Sequence, residues 1–120
     1  MRPTQLIALR AAAALAASDN GPAVDVSGFT GNGYIALNSS ATGGAGQTSD
    51  VKLQHSDDGS TNWTDTGVAF AQVTNAAASF QALYVSLDQF KKYVRVVNTL
   101  GGSTPTVTAS VAMVGDQEQK

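Results

Sequence analysis

The sequence predicts an all-β fold, an antiparallel β-sandwich of jelly-roll or immunoglobulin-like type with about seven or eight strands. Three observations carry this reading. Apolar and polar residues alternate with period two in short runs, most plainly over Val51–Ser56 and Thr106–Val114. Clusters of Gly, Ser, Asn and Asp interrupt such runs roughly every eight to twelve residues. A single stretch, Thr4–Ala17, is rich enough in alanine and leucine to compete as a helix.

The first segment, residues 1–18, differs in character from the rest. Pro3 suits a helix N-terminus, and Leu6, Ile7, Leu9 and Leu15 stand among alanines. Three readings compete: a secretory signal, a helix packed on its own domain, and an arm laid over a neighbouring subunit. Arg10 interrupts the apolar run, which weakens the signal reading, and the segment is too short and too weakly apolar to span a membrane. The arm reading is adopted, with the segment retained and Leu6, Ile7, Leu9 and Arg10 as its contact residues. On that reading, deleting residues 1–18 spares folding and abolishes association.

The sandwich domain is assigned to residues 19–115. Asp19–Pro22 is a turn, Ala23–Val26 a short strand, and Ser27–Gly33 a corner that inserts Phe29 into the core. Tyr34–Asn38 is a strand with Ile35 and Leu37 inward, and Ser39–Ser49 a loop without an apolar anchor. Asp50–Thr66 reads as a β-hairpin. Val51, Leu53 and His55 alternate with Lys52, Gln54 and Ser56, and Asp57–Ser60 makes the turn, where Gly59 takes positive φ without a Cβ clash. Trp63 is the sole tryptophan. Burying an indole removes about 150–250 Å² from water and contributes roughly 4–6 kcal/mol at most, so Trp63 is placed as the core anchor.

Val68–Val73 is a further strand, and Thr74–Ser79 a connection. Phe80–Leu87 carries Leu83, Val85 and Leu87 on one face and Phe80, Ala82 and Tyr84 on the other, so both faces are read as at least partly covered. Asp88–Lys92 is a corner, and Tyr93–Thr99 a central strand with Val94 and Val96 inward. Leu100–Pro105 is read as a hairpin turn, with Pro105 opening the last strand, where no ladder donor is needed. Residues 116–120 form a polar tail.

The totals bound the function. A chain of 120 residues buries about two-thirds of its unfolded surface as one domain and needs no staples. The absence of cysteine excludes disulfides, thiolate metal sites and a Cys nucleophile, and leaves the redox compartment open. A net charge of −2 is too weak to argue for nucleic acid or an anionic membrane.

Chemistry is sparse. His55 is the single histidine and lacks the context of a nucleophile elbow. Asp57, Asp58 and Asp65 approach a cation site only if the hairpin gathers them, and their spacing is not that of a calcium loop. Turn formation already explains two of them. Lys91, Lys92 and Arg95 suit a solvated face or a salt-bridge rim against an acidic partner. Asn38-Ser39-Ser40 and Asn62-Trp63-Thr64 match a glycosylation pattern short enough to arise by chance. No catalytic residue, cofactor or metal ligand is assigned, and the chain is expected not to be an enzyme.

Four blocks carry a resemblance: GPAVDVSGF (Gly21–Phe29), VKLQHSDDGSTNWTD (Val51–Asp65), KKYVRVV (Lys91–Val97) and GGSTPTVTASVAMVG (Gly101–Gly115). In this order they are similar to small β-sandwich virion proteins of tailed bacteriophages, of the type that decorates or cements capsids. The resemblance covers about Gly21 to Gly115 and rests on structural rather than catalytic motifs. It implies a capsid decoration protein on the exterior of the virion, working by subunit contacts at many copies per particle. It further implies the major capsid protein of the phage as partner, together with copies of the chain itself in a homotrimer. Another phage part, of tail or neck, shares such sandwiches. A carbohydrate-binding sandwich module is the alternative from a different class; it requires Trp63 with Tyr34 or Tyr84 exposed as a stacking platform.

Overall fold

The computed structural model describes residues 4–43, 46–102 and 106–117. The roles read for Pro3 and Pro105, and the end of the polar tail, lie outside these residues. Ten strands follow in order: β1 (Thr4–Leu15), β2 (Asp19–Asn20), β3 (Val24–Asp25), β4 (Phe29–Ser39), β5 (Thr48–Ser56), β6 (Thr64–Ala69), β7 (Val73–Thr74), β8 (Ser79–Ser86), β9 (Tyr93–Gly101) and β10 (Val107–Gln117). A 3₁₀ turn, Leu87–Gln89, stands between β8 and β9.

The strands form two antiparallel sheets. The first runs β1-β10-β4-β8; the second runs β2-β9-β5-β6, with β3 also on β9 and β7 also on β5. The chain passes back and forth between the sheets, and among the described residues β5–β6 is the one pair of consecutive strands joined as a hairpin. First and last strands lie side by side within the first sheet. This is the order of a jelly roll and not the ABED/CFG order of an immunoglobulin domain. β9 and β10 therefore belong to different sheets and do not pair, where the sequence suggests a hairpin.

The core fills the space between the inner faces. Leu9, Ile35, Leu37, Val111 and Met113 from the first sheet meet Val51, Leu53, Val94 and Val96 from the second, and all are essentially inaccessible to water. Phe29, Phe70 and Leu87 close the ends. A Cβ on Gly33 would lie 2.3 Å from the Val114 carbonyl oxygen, so only glycine lets β4 and β10 approach there beneath Leu87. Two buried polar side chains satisfy each other across the second sheet, the Ser49 hydroxyl donating to Asn98 Oδ1 at 3.0 Å.

Residues 4–15 are a strand, not a helix or an arm on a neighbour: β1 pairs along its length with β10 and delivers Leu9 to the core. Ile7 packs against that core, Arg10 forms an ion pair with Asp19, and Leu6 alone of the four named contact residues points fully outward. Alanine favours helix by at most ~0.7 kcal/mol over ordinary residues. That preference yields to the hydrogen-bond ladder that β10 would otherwise leave open. Register shifts between Ala8 and Arg10 and between Arg10 and Ala13 break the alternation that would have marked the strand.

Trp63 is not the core anchor. It is half-buried and outside the apolar cluster. Asn62, at φ 58°, turns the chain immediately before it, and the interior of the hairpin is filled by Leu53 and Val68. The indole instead lies under the Arg95 guanidinium, whose centre is 4.4 Å from the ring.

Removal of residues 1–18 is therefore expected to abolish cooperative unfolding rather than spare the fold, as far-UV circular dichroism and a urea titration would show. Leu9→Ala should cost about 2–5 kcal/mol. Trp63→Ala should cost only about 1 kcal/mol, the scale of a surface cation–π contact.

Candidate functional site

The two outer faces of the sandwich differ sharply in chemistry. The second sheet's outer face is a closed polar network. Arg95 Nε and Nη2 donate to Gln54 Oε1 at 3.0 and 2.7 Å, Gln54 Nε2 donates to Asp65 Oδ1 at 3.0 Å, and Lys52 Nζ lies 3.0 Å from the same carboxylate. The Gln54 hydrogen bond, followed by Lys52, lowers the pKa of Asp65. Lys52 and Asp65 form an ion pair, and Arg95 is held by the neutral Gln54 and the Trp63 ring, which suits a solvated surface.

The carboxylates of the hairpin do not converge. Asp58 accepts from the Thr61 hydroxyl at 2.6 Å, the Thr61 and Ser60 amides at 2.9 and 3.0 Å, and the Ser56 hydroxyl at 2.9 Å. These bonds, the Thr61 hydroxyl first, hold its pKa well below the usual carboxylate range. Asp57 faces Lys91 at 3.9 Å, and Asp65 is engaged by Lys52 and Gln54. Among the described residues no group of three His, Asp or Glu could hold a metal ion. His55 Nδ1 accepts from the Lys91 amide at 3.2 Å, and the ring meets Phe90 edge-on. Burial, and then Lys91, lower its pKa. The surface hollows at the β1–β10 and β4–β10 edges are lined mainly by Ala, Ser and Thr and hold no titratable group.

The first sheet's outer face is the exceptional surface. Its register sets Leu6, Val114, Tyr34 and Tyr84 side by side across β1, β10, β4 and β8. The next outward row is Ala8, Ala112, Ala36 and Ala82, and the row beyond holds Ser110, Asn38 and Phe80. Phe80 is 72% exposed, Leu6 68%, Tyr84 63% and Tyr34 50%. The tyrosine rings touch at 5.0 Å between centroids, tilted by 56°. None of the side chains named in these rows is charged.

This overturns the partial cover expected for both faces of β8. Leu83 and Val85 pack on the core, whereas Phe80 and Tyr84 stand open. Alternation within SFQALYVS already showed two apolar faces; that one of them lies bare in the single chain follows only from the layer count. The tyrosines also lie on the opposite side of the sandwich from Trp63, so no joint stacking platform exists. Arg95 already covers one face of that indole.

No protein-family model matches the chain, and no curated protein matches its sequence. Solved structures similar in shape include a viral one. A chain in the structure of infectious bursal disease virus, Gt strain, superposes with a TM-score of 0.56 at 9% identity, over 94% of this chain and 32% of that one. A chain from the Gx strain of the same virus gives 0.49 at 10% identity, over 93% and 31%. The chain thus spans about a third of the length of these neighbours. The first likeness establishes a β-sandwich fold found in a virus, at the level of fold.

Acid should weaken the fold in two steps. The lowered pKa of His55 means that the unfolded chain takes up the proton first, so stability falls slightly as pH drops through about 6.5. Asp58, with Asp65 behind it, is held ionised by native hydrogen bonds; its contribution is complete above about pH 4 and is lost as pH falls further. Urea midpoints measured against pH should show both steps, with His55→Gln removing the first and Asp58→Asn flattening the second.

Proposed function

We propose that the chain is a structural protein of a virion, a decoration or cement protein of a tailed phage that stabilises the head from outside through subunit contacts. The observation that carries this reading is the uncharged apolar face with Leu6, Tyr34, Phe80 and Tyr84 exposed. Contiguous apolar patches beyond a few hundred Å² mark interaction sites on soluble proteins. A viral β-sandwich fold and the resemblance of four sequence blocks to phage decoration proteins support the placement. The partners in this reading are the major capsid protein and further copies of the chain. Its work is burial of surface, repeated by symmetry, without turnover of a substrate. The reading assigns no catalytic role: Asp58 serves the turn, Asp65 pairs with Lys52, Asp57 faces Lys91, and the imidazole accepts from a backbone amide.

Cryo-electron microscopy of phage particles assembled with and without the chain tests the proposal. Density for the sandwich should cover the outside of the head, and heads lacking it should rupture at lower temperature. The double variant Phe80→Asp, Tyr84→Asp should fold with a urea midpoint close to that of the parent, since both side chains are exposed. It should nevertheless leave the particles undecorated. Unchanged decoration by that variant, or heads indifferent to the chain, would overturn the proposal.

A further inference from the structure

We infer that the outer face of the β1-β10-β4-β8 sheet closes on a second copy of the same chain, with the row Ala8–Ala112–Ala36–Ala82 lying along a two-fold axis. The inference rests on the reading of this face as a subunit contact and names its occupant.

Charge is the first argument. A partner recognised through ion pairs needs a charged face to meet, and the rows from Leu6 to Phe80 offer none. The other broad surface of the chain, around Lys52, Asp65 and Arg95, is a charged network that would lose its hydration against them. The described surface that matches a flat, neutral, apolar sheet is another such sheet.

Symmetry is the second. The bulky residues stand on the two sides of the alanine row: Leu6, Val114, Tyr34 and Tyr84 on one, Phe80 on the other. Rotation by a half-turn about that row brings Phe80 of one copy over Tyr84 of its partner and Tyr84 over Phe80, with Ala82 opposite Ala82. Each residue then meets its complement twice, as an isologous interface requires. Methyl side chains along the axis let the sheets approach to the ~10 Å at which sheets stack, and the aromatic pair fills the space on either side.

Area is the third. At ~150–250 Å² for each large side chain, with half to three-quarters of it open, the four exposed residues present about 500 Å². With the small residues between them the face approaches the ~800 Å² per partner typical of a stable interface. The two-fold takes the place of the three-fold that the phage resemblance implies.

The chain lacks cysteine, so single thiols report the geometry cleanly. Sedimentation of the full chain should give twice 12.2 kDa, with a dissociation constant that Ala82→Lys raises at least ~100-fold by setting two like charges at the axis. Ala82→Cys should be joined to its partner by a short bis-maleimide, and Thr64→Cys, on the second sheet, should not. A monomer at all concentrations, a trimer, or cross-linking through Thr64→Cys but not Ala82→Cys would overturn the inference. Particle binding separates it from the reading on which it rests. A monomeric parent whose decoration is lost in Ala82→Lys defeats the two-fold and leaves the virion role standing. A dimer that never joins particles defeats the virion role and leaves the two-fold standing.

Discussion

The pairing of β1 with β10 holds the sandwich closed. It sets the first and last strands side by side inside one sheet, so the chain is closed on itself before any other contact is counted. Without it, β10 would expose a ladder of unpaired amides and carbonyls, and Val111 and Met113 would lose Leu9 as a core neighbour. The cost of closing a loop of nearly the whole chain grows only logarithmically with its length, so one well-packed strand pair is enough to hold it.

That closure leaves two outer faces. One is charged and internally matched, from Lys52 through Asp65 and Gln54 to the Arg95 stack on Trp63. Such a face resists association, because each group would give up water and a partner at once. The other carries methyls and aromatic rings and gives up little polar hydration when covered. The asymmetry between them makes one side of the sandwich far cheaper to cover than the other.

How much of this was legible in the sequence follows the local physics. Period-two alternation marked β5, β9 and β10 and their inward residues Val51, Leu53, Val94, Val96, Val111 and Met113, because each strand has one wet and one dry face. The Asp58 turn is legible because an Asp carboxylate accepts from the turn amides and Gly59 takes positive φ. β1 was not, since bulges erased its period and alanine speaks for helix when no neighbour is considered. Area argues for burial of Trp63 only where the chain geometry delivers the ring inward, and Asn62 turns it to Arg95 instead.

The class of fold, a layered β-sandwich, is legible from local pattern, because alternation, turn residues and side-chain volume act within a few residues of each other. Tertiary structure alone decided which strands are neighbours, which of two apolar faces on β8 lies bare, and that an alanine-rich stretch is a strand. Those outcomes depend on residues a hundred positions apart, such as Leu6 beside Val114, whose meeting no local pattern encodes.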